Sequence, residues 1–346
     1  MTIRTDLVRM ALAGAACLPL VLGVPARAAD PALVAAAKTE GQVVWYTTLI
    51  VNQAVRPLAR AFEKKYGIRV AYARANSGPT AIKILNEANA GRVQADIFDG
   101  ISTLSPLLER GLVAGYVPST AAQYPPELKD PDGTWIATNL YFLTAGINTT
   151  LVRPAEAPQT YEDLLDPKWK GRIAWNVTSS AGAPGFVGNI LMSMGEQKGM
   201  AYLKQLAKQD IKGTDASSRA VLDQVIAGDY PLALMIFSHH TVISANKGAP
   251  TTWLKMEPVA AAMNTTSLLK AAPHPNAGKL LIEFLTSTEG QTVLQKANYL
   301  PALPTVPAKT PTLKPKEGNF RVNFLPPAAF EKNMKKWSAV VKELFR

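Results

Sequence analysis

Gly41-Gln42-Val43-Val44-Trp45-Tyr46-Thr47, followed by Gln53 to Tyr66 and then Gly67-Ile68-Arg69-Val70-Ala71-Tyr72, is the stretch that decides the fold. Its opening run is apolar, aromatic and β-branched, which predicts a buried strand. In the next segment Val55, Leu58, Ala59 and Phe62 recur at helical spacing, and Gly67 supplies the stop. Ile68 to Tyr72 then predicts a second strand. An alanine-rich helix over Pro31 to Glu40 precedes this unit, and Gly41 breaks it. Ser77-Gly78-Pro79 opens another helix through Ala90, with Pro79 where a missing N–H costs nothing. Asp96-Ile97-Phe98-Asp99-Gly100 reads as a third strand and its exit turn. Strands alternating with helices imply a parallel sheet, and sites on such sheets lie at the carboxyl ends of the strands. Thr47, Thr48, Asn76, Ser77, Asp99 and Gly100 therefore fall along one edge.

Beyond this unit the pattern repeats in kind. From Val117 to Asp166 the chain is rich in proline and polar turns, interrupted by Tyr141 to Asn148, an apolar run able to cross between two lobes. A second series follows: Ile173-Ala174-Trp175 as a strand, Pro184 to Met194 and Met200 to Lys208 as helices, Ser218 to Ala227 as a helix, and Leu232 to Phe237 as a strand. No internal sequence repeat is visible. The proline-rich passage from Pro301 to Pro315 is expected to wrap a surface. A chain of 346 residues, 47% hydrophobic, exceeds what one core usually organises, so two lobes are expected.

The amino terminus carries a different signal. Arg4 and Arg9 precede an apolar run from Met10 to Val24, which ends at Pro25 and Ala26-Arg27-Ala28. That is the layout of a secretory leader cleaved near Ala28, and the run is too short to span a bilayer comfortably. Cleavage removes Cys17, the single cysteine, so the exported chain holds neither a disulfide nor a thiolate. Cys17 is not read as a lipid anchor, because Gly14 stands where a lipobox needs a large aliphatic residue. The formal charge is +11. Its basic residues are dispersed, the densest pairs being Lys64-Lys65 and Lys335-Lys336, which speaks for solubility or an anionic solute rather than nucleic acid.

Five passages make the chain resemble a known family. They are Gly41 to Tyr46; Gln94 to Asp99; Tyr161-Glu162-Asp163-Leu164-Leu165-Asp166-Pro167-Lys168-Trp169-Lys170-Gly171-Arg172-Ile173; Ser217 to Val221 through Gly228; and His274 to Lys279 through Glu289-Gly290. In this order they are similar to bacterial extracellular solute-binding proteins of the ferric-ion, thiamine and polyamine type, which serve ABC transporters. The resemblance implies an α/β, two-lobed type 2 periplasmic-binding fold, each lobe a mainly parallel sheet flanked by helices, joined by crossing strands. It further implies a ligand held in the cleft and lobes that close over it by hinge motion. The expected division is a leader over 1–28, the first part of lobe 1 over 29–139, lobe 2 over 140–256, a return to lobe 1 over 257–310, and a C-terminal helical segment over 311–346 packing on lobe 2.

In ferric-binding members of that family, paired tyrosines follow the strand that corresponds to Leu232 to Phe237. Here the place reads Ser238-His239-His240, and the first-lobe place after Tyr46 reads Thr47-Thr48. Phenolate and carboxylate oxygens suit a ferric ion, whereas imidazole suits softer divalent metals. Adjacent histidines also point apart. The leading expectation for Ser238, His239 and His240 is contact with an organic ligand, no metal being bound. A metal held by His239 and His240 is the alternative, and a histidine capping a helix over Thr241 to Lys247 is the structural one.

The remaining candidates gather where helices begin: Ser77-Gly78, Thr178-Ser179-Ser180, and Ser217-Ser218. Helix N-termini offer unpaired N–H groups and a positive dipole end, suited to carboxylate or phosphate. Ordinary serine N-capping is the competing reading at each. Arg219 either grips the anion in bidentate fashion or faces solvent. Trp175 either walls the cleft or packs in the core, and Asp99 either favours a cationic solute or caps a helix at Ser102. No nucleophile elbow, zinc-protease, dinucleotide or phosphate-loop motif is present. The expectation is thus a periplasmic, monomeric, non-enzymatic receptor without a cofactor, partnered by a small-molecule solute and an ABC permease of the inner membrane.

Overall fold

A computed structural model describes residues 29–345 of the chain. The leader over 1–28 and its cleavage site near Ala28 lie outside the described residues.

Alternation of strand and helix comes out as the sequence pattern requires. Strands β1 (Gln42–Thr47) and β2 (Arg69–Arg74) run parallel, with Val43 opposite Val70 and Thr47 opposite Arg74. The connecting helix Arg56–Tyr66 turns Leu58, Ala59 and Phe62 inward, and the Phe62 ring meets Phe284 edge-on at 5.7 Å. That helix starts later than its apolar spacing suggests, because Val51–Val55 forms a π turn first. Gly41 holds φ 74, a left-handed turn that an L side chain rarely adopts, and so stops the helix Pro31–Glu40 directly before β1.

Ten more strands complete one twelve-stranded sheet: β3 (Ile97–Gly100), β4 (Val113–Ala114), β5 (Ile136–Asn148), β6 (Ile173–Asn176), β7 (Lys212–Thr214), β8 (Leu232–Phe237), β9 (Thr251–Trp253), β10 (Val259–Leu269), β11 (Leu300–Pro301) and β12 (Val322–Phe324). Along its main path the order is β2-β1-β3-β10-β5-β8-β6-β7. The two ends are parallel triplets in their own right, β2-β1-β3 and β8-β6-β7. Between them run the two long strands β5 and β10, antiparallel to each other and buried over nearly their whole length. This is a two-lobed α/β fold whose lobes share crossing strands. The expected boundary at 139/140 falls inside β5, and that at 256/257 falls just before β10.

Two irregularities shape the centre. Leu234 and Met235 of β8 together oppose Ala145 of β5, and Met235 sits at φ 57 although it is buried. A bulge of this kind turns the end of a strand, here re-aiming Phe237 and the helix that follows. A second slip lies between Asn264 and Thr265 of β10.

The carboxyl-terminal helix Pro327–Leu344 lies on the helix Ala183–Met194, and β12 pairs with the start of β10. A Cβ added at Gly188 would stand 2.7 Å from the Trp337 ring, so glycine is what lets the indole seat there. The passage Pro301–Pro315 does not merely wrap a surface: Leu303, Val306 and Leu313 are buried. Apolar side chains at irregular spacing anchor it, which a proline count does not reveal.

Candidate functional site

Between the two parallel triplets lies a cavity of about 60 Å³. Thr48, Asn76 and Ser77 reach it from the carboxyl ends of β1 and β2, as the strand-edge argument requires. Ser179, Ser217 and Ser218 reach it from the other side, where the helices Ala183–Met194 and Ser218–Ala227 begin. Its apolar wall comes from Ile50, Ile101, Tyr141, Phe237 and Tyr299. Two guanidinium groups, Arg74 and Arg219, face it, and among the described residues no carboxylate does.

Seven of the residues expected at the site, Thr48, Ser77, Ser179, Ser217, Ser218, Arg219 and His240, line this cavity together. Arg219 is held in place: it pairs with Asp223, and its Nη1 donates to Ser244 Oγ at 2.8 Å and to the His240 carbonyl at 3.3 Å. Ser217 caps its own helix by accepting from the Ala220 N–H. Capping and cavity lining are therefore not alternatives at this position.

Asp99 acts differently from either expectation. Its carboxylate is buried and accepts four hydrogen bonds, from Trp45 Nε1 at 2.8 Å, Thr47 Oγ1 at 2.5 Å, and Thr48 N and Oγ1 at 2.8 and 2.7 Å. Burial raises its pKa, opposed by these donors. With its acceptors occupied it neither greets a cation nor caps a helix at Ser102; it positions Thr48. Thr47, fully buried, is one of its donors and does not line the cavity. Thr48 Oγ1 also reaches Asn264 Oδ1 at 3.2 Å, which ties the cavity wall to the slip in β10.

Other expectations are corrected by burial. Trp175 is a core residue, packed edge-on against Phe186 and Phe345 at 5.7 and 4.8 Å. Thr178 is exposed and borders a different, larger groove of about 970 Å³ with Lys208, Lys212 and Lys342. Gly78 is exposed and does not line the cavity, and a Cβ added there would meet nothing within 4 Å. Ser180 accepts a hydrogen bond at 2.6 Å from Ser102, which follows β3, so the two sides of the cleft touch there. The helix after β8 begins at Ser238, not Thr241, and neither histidine is a cap. Ser238 and His239 are buried behind the cavity wall, His239 lying 4.6 Å from the Tyr299 ring and stacked on Tyr141 at 5.7 Å.

The imidazoles have an unusual setting. Neither ring nitrogen of His239 or His240 has a hydrogen-bond partner among the described residues, though both rings are at least 96% buried. Burial, reinforced by Arg219, lowers the pKa of His239 to about 3. Burial first, then His239, Arg219 and Arg74, lowers that of His240 well below the ordinary range. Both rings are thus neutral at physiological pH. His240 lines the cavity, and both of its ring nitrogens are buried there without a partner among the described residues. Tyr141 and Tyr299, which composition could not single out, are held protonated by burial. Among the described residues no cluster of three or more His, Cys, Asp or Glu side chains comes together as a metal site.

A sequence model described as bacterial extracellular solute-binding protein matches residues 94–324. The chain belongs to that family. It is 25% identical over 274 residues to an Fe(3+)-binding periplasmic protein of Serratia marcescens, covering 76% of this chain and 79% of that one. It is 27% identical over 256 residues to a putative 2-aminoethylphosphonate-binding periplasmic protein of Salmonella typhimurium, covering 69% and 71%. The solved structure of the periplasmic binding protein AfuA from Actinobacillus pleuropneumoniae, with exogenous fructose-6-phosphate bound, superposes with a TM-score of 0.76 at 25% identity, over 88% of this chain and 98% of that one. The solute-binding fold of an ABC transporter's periplasmic component is therefore shared. Among the described residues no helix is long and apolar enough to cross a membrane.

Proposed function

We propose that this solute-binding protein captures a small organic anion, a phosphate or phosphonate monoester or a carboxylate, in the cavity between its lobes, and delivers it to an ABC permease after export to the periplasm. The observation that carries the reading is the charge of the cavity: two guanidinium groups, helix N-termini with Ser77, Ser179 and Ser218, and no facing carboxylate among the described residues. The relatives named for 2-aminoethylphosphonate and bound to fructose-6-phosphate support the same class. Lobe 1 is assigned residues 29–139 and 257–310 and lobe 2 residues 140–256, with the carboxyl-terminal segment over 311–346 packing on lobe 2. The solute is held without covalent chemistry by a monomer. Site residues are Thr48, Asn76, Ser77, Ser179, Ser217, Ser218, Arg74, Arg219 and His240, with Tyr141, Phe237 and Tyr299 as the apolar wall.

Metal capture is the second reading, favoured by the Fe(3+)-binding relative and by phenols and an imidazole sharing one wall. Two arginines facing the same space oppose a bare cation. Thermal shift against phosphate and phosphonate esters, carboxylates, polyamines and metal salts separates the two, since a ligand bound only by the folded form raises the melting temperature by mass action. The expected outcome is stabilisation by the oxyanions. Stabilisation by metal salts alone, reversed by chelator, would sink the anion reading.

A further inference from the structure

Arg74 closes β2, on one side of the cavity, and Arg219 opens a helix on the other. Arg219 is anchored by Asp223, Ser244 and the His240 carbonyl. Arg74 has no ion-pair partner among the described residues, and it stays solvent-exposed while bordering the cavity. Two like charges therefore approach one another across a space of about 60 Å³ when the lobes meet. His240 lines the same cavity, and its ring nitrogens have no partner among the described residues. Among the described residues no carboxylate pairs with Arg74; the nearest acidic group behind that wall, Asp99, is buried and engaged by its own four donors.

We propose that Arg74 is a charge sensor: its repulsion from Arg219 holds the empty cleft open, and a solute of at least one full negative charge removes that barrier and lets the lobes close. This deepens the anion reading and rests on it for the identity of the solute, but the barrier itself belongs to the empty protein. Arg219 cannot swing away to relieve the repulsion, being tethered at three points, so relief has to come from separation of the lobes, from screening or from an anion. Neutral compounds of the same shape meet the barrier unrelieved and are rejected, which makes Arg74 a specificity-determining residue in the sense of designed repulsion against the wrong ligand. Asp223 offsets part of the Arg219 charge, but its side chain is 56% exposed and screened by water, so the offset is incomplete.

The test reads the radius of gyration of the mature protein by small-angle scattering, first with no solute. Raising salt from about 0.01 M to about 1 M shortens the screening length from about 30 Å to about 3 Å. Wild type is expected to contract over that range, Arg74→Gln to be contracted already at low salt, and Arg74→Lys to behave as wild type. A wild type whose dimensions ignore salt, or an Arg74→Gln protein as extended as wild type at low salt, overturns the proposal. A second arm titrates inorganic phosphate and a phosphate ester beside its uncharged alcohol. Arg74→Gln is expected to lose roughly tenfold or more in affinity for the ester, the value of one charge-assisted contact, and to lose preference over the alcohol. Should no oxyanion bind while the empty protein still contracts with salt, the anion reading fails and the gate stands.

Discussion

At the scale of single residues, the cavity is built from groups whose own needs are met and a few whose needs are not. Asp99 is the first kind: four donors converge on one buried carboxylate. Asp99→Asn keeps the shape but turns an amide toward hydroxyls and N–H groups that expect an acceptor, and it is expected to cost about 1–3 kcal/mol in urea unfolding and to weaken solute binding through Thr48. His239 is the second kind. Its pKa falls from 6.5 in the unfolded chain to about 3 in the fold, so the unfolded state takes up the proton first. The fold keeps its full stability from this group above about pH 6.5 and loses it as pH drops toward about 3, at no more than about 1.4 kcal/mol per pH unit. His240 acts in the same direction. His239→Phe fills the same aromatic space without the unpartnered nitrogens, and is expected to flatten the acid limb of a stability profile measured from pH 7 to pH 5, with no loss at pH 7. An acid limb as steep as that of wild type would refute this account.

At the scale of elements, the site depends on how strands end. The bulge at Met235 turns β8 so that Phe237 and His240 face the cavity while His239 turns into the core. The slip at Asn264 brings its side chain under Thr48. Both lie on or beside the crossing strands, so the cavity wall is bonded to the strands that the two lobes share. The back of the second triplet has its own dependence on contact: Gly188 admits Trp337. Gly188→Ala places a methyl against an indole that cannot move far in a packed interior, and is expected to destabilise the fold by about 1–3 kcal/mol in chemical denaturation. Trp337 fluorescence is expected to report the loss of packing. A neutral substitution would mean that the carboxyl-terminal helix is loosely seated.

At the scale of the whole molecule, function comes from two parallel triplets sharing two long strands. Binding in such a cleft is expected to shrink the radius of gyration in step with occupancy, and a solute that binds without contraction would argue against hinge closure. The sequence by itself determined the alternation of strand and helix, the helix starts at Ser77 and Ser218, the strand Leu232–Phe237, and the family, because periodicity, glycine stops and capping serines are local signals. It also placed seven cavity residues, since the carboxyl ends of parallel strands and the starts of their helices converge wherever such sheets form. Tertiary structure alone decided the rest. Arg74 looks like any surface arginine until β2 is set opposite the helix at Ser218, and Tyr141 and Tyr299 look like core aromatics until crossing strands bring them together. Trp175 and Thr178 lie within four residues of Ser179 in the chain, yet the strand Ile173–Asn176 buries one in the core and the bend after it turns the other toward a different groove. Which face a side chain takes is a property of packing, and charge opposing charge across a cleft exists only once two distant segments are held apart by a fold.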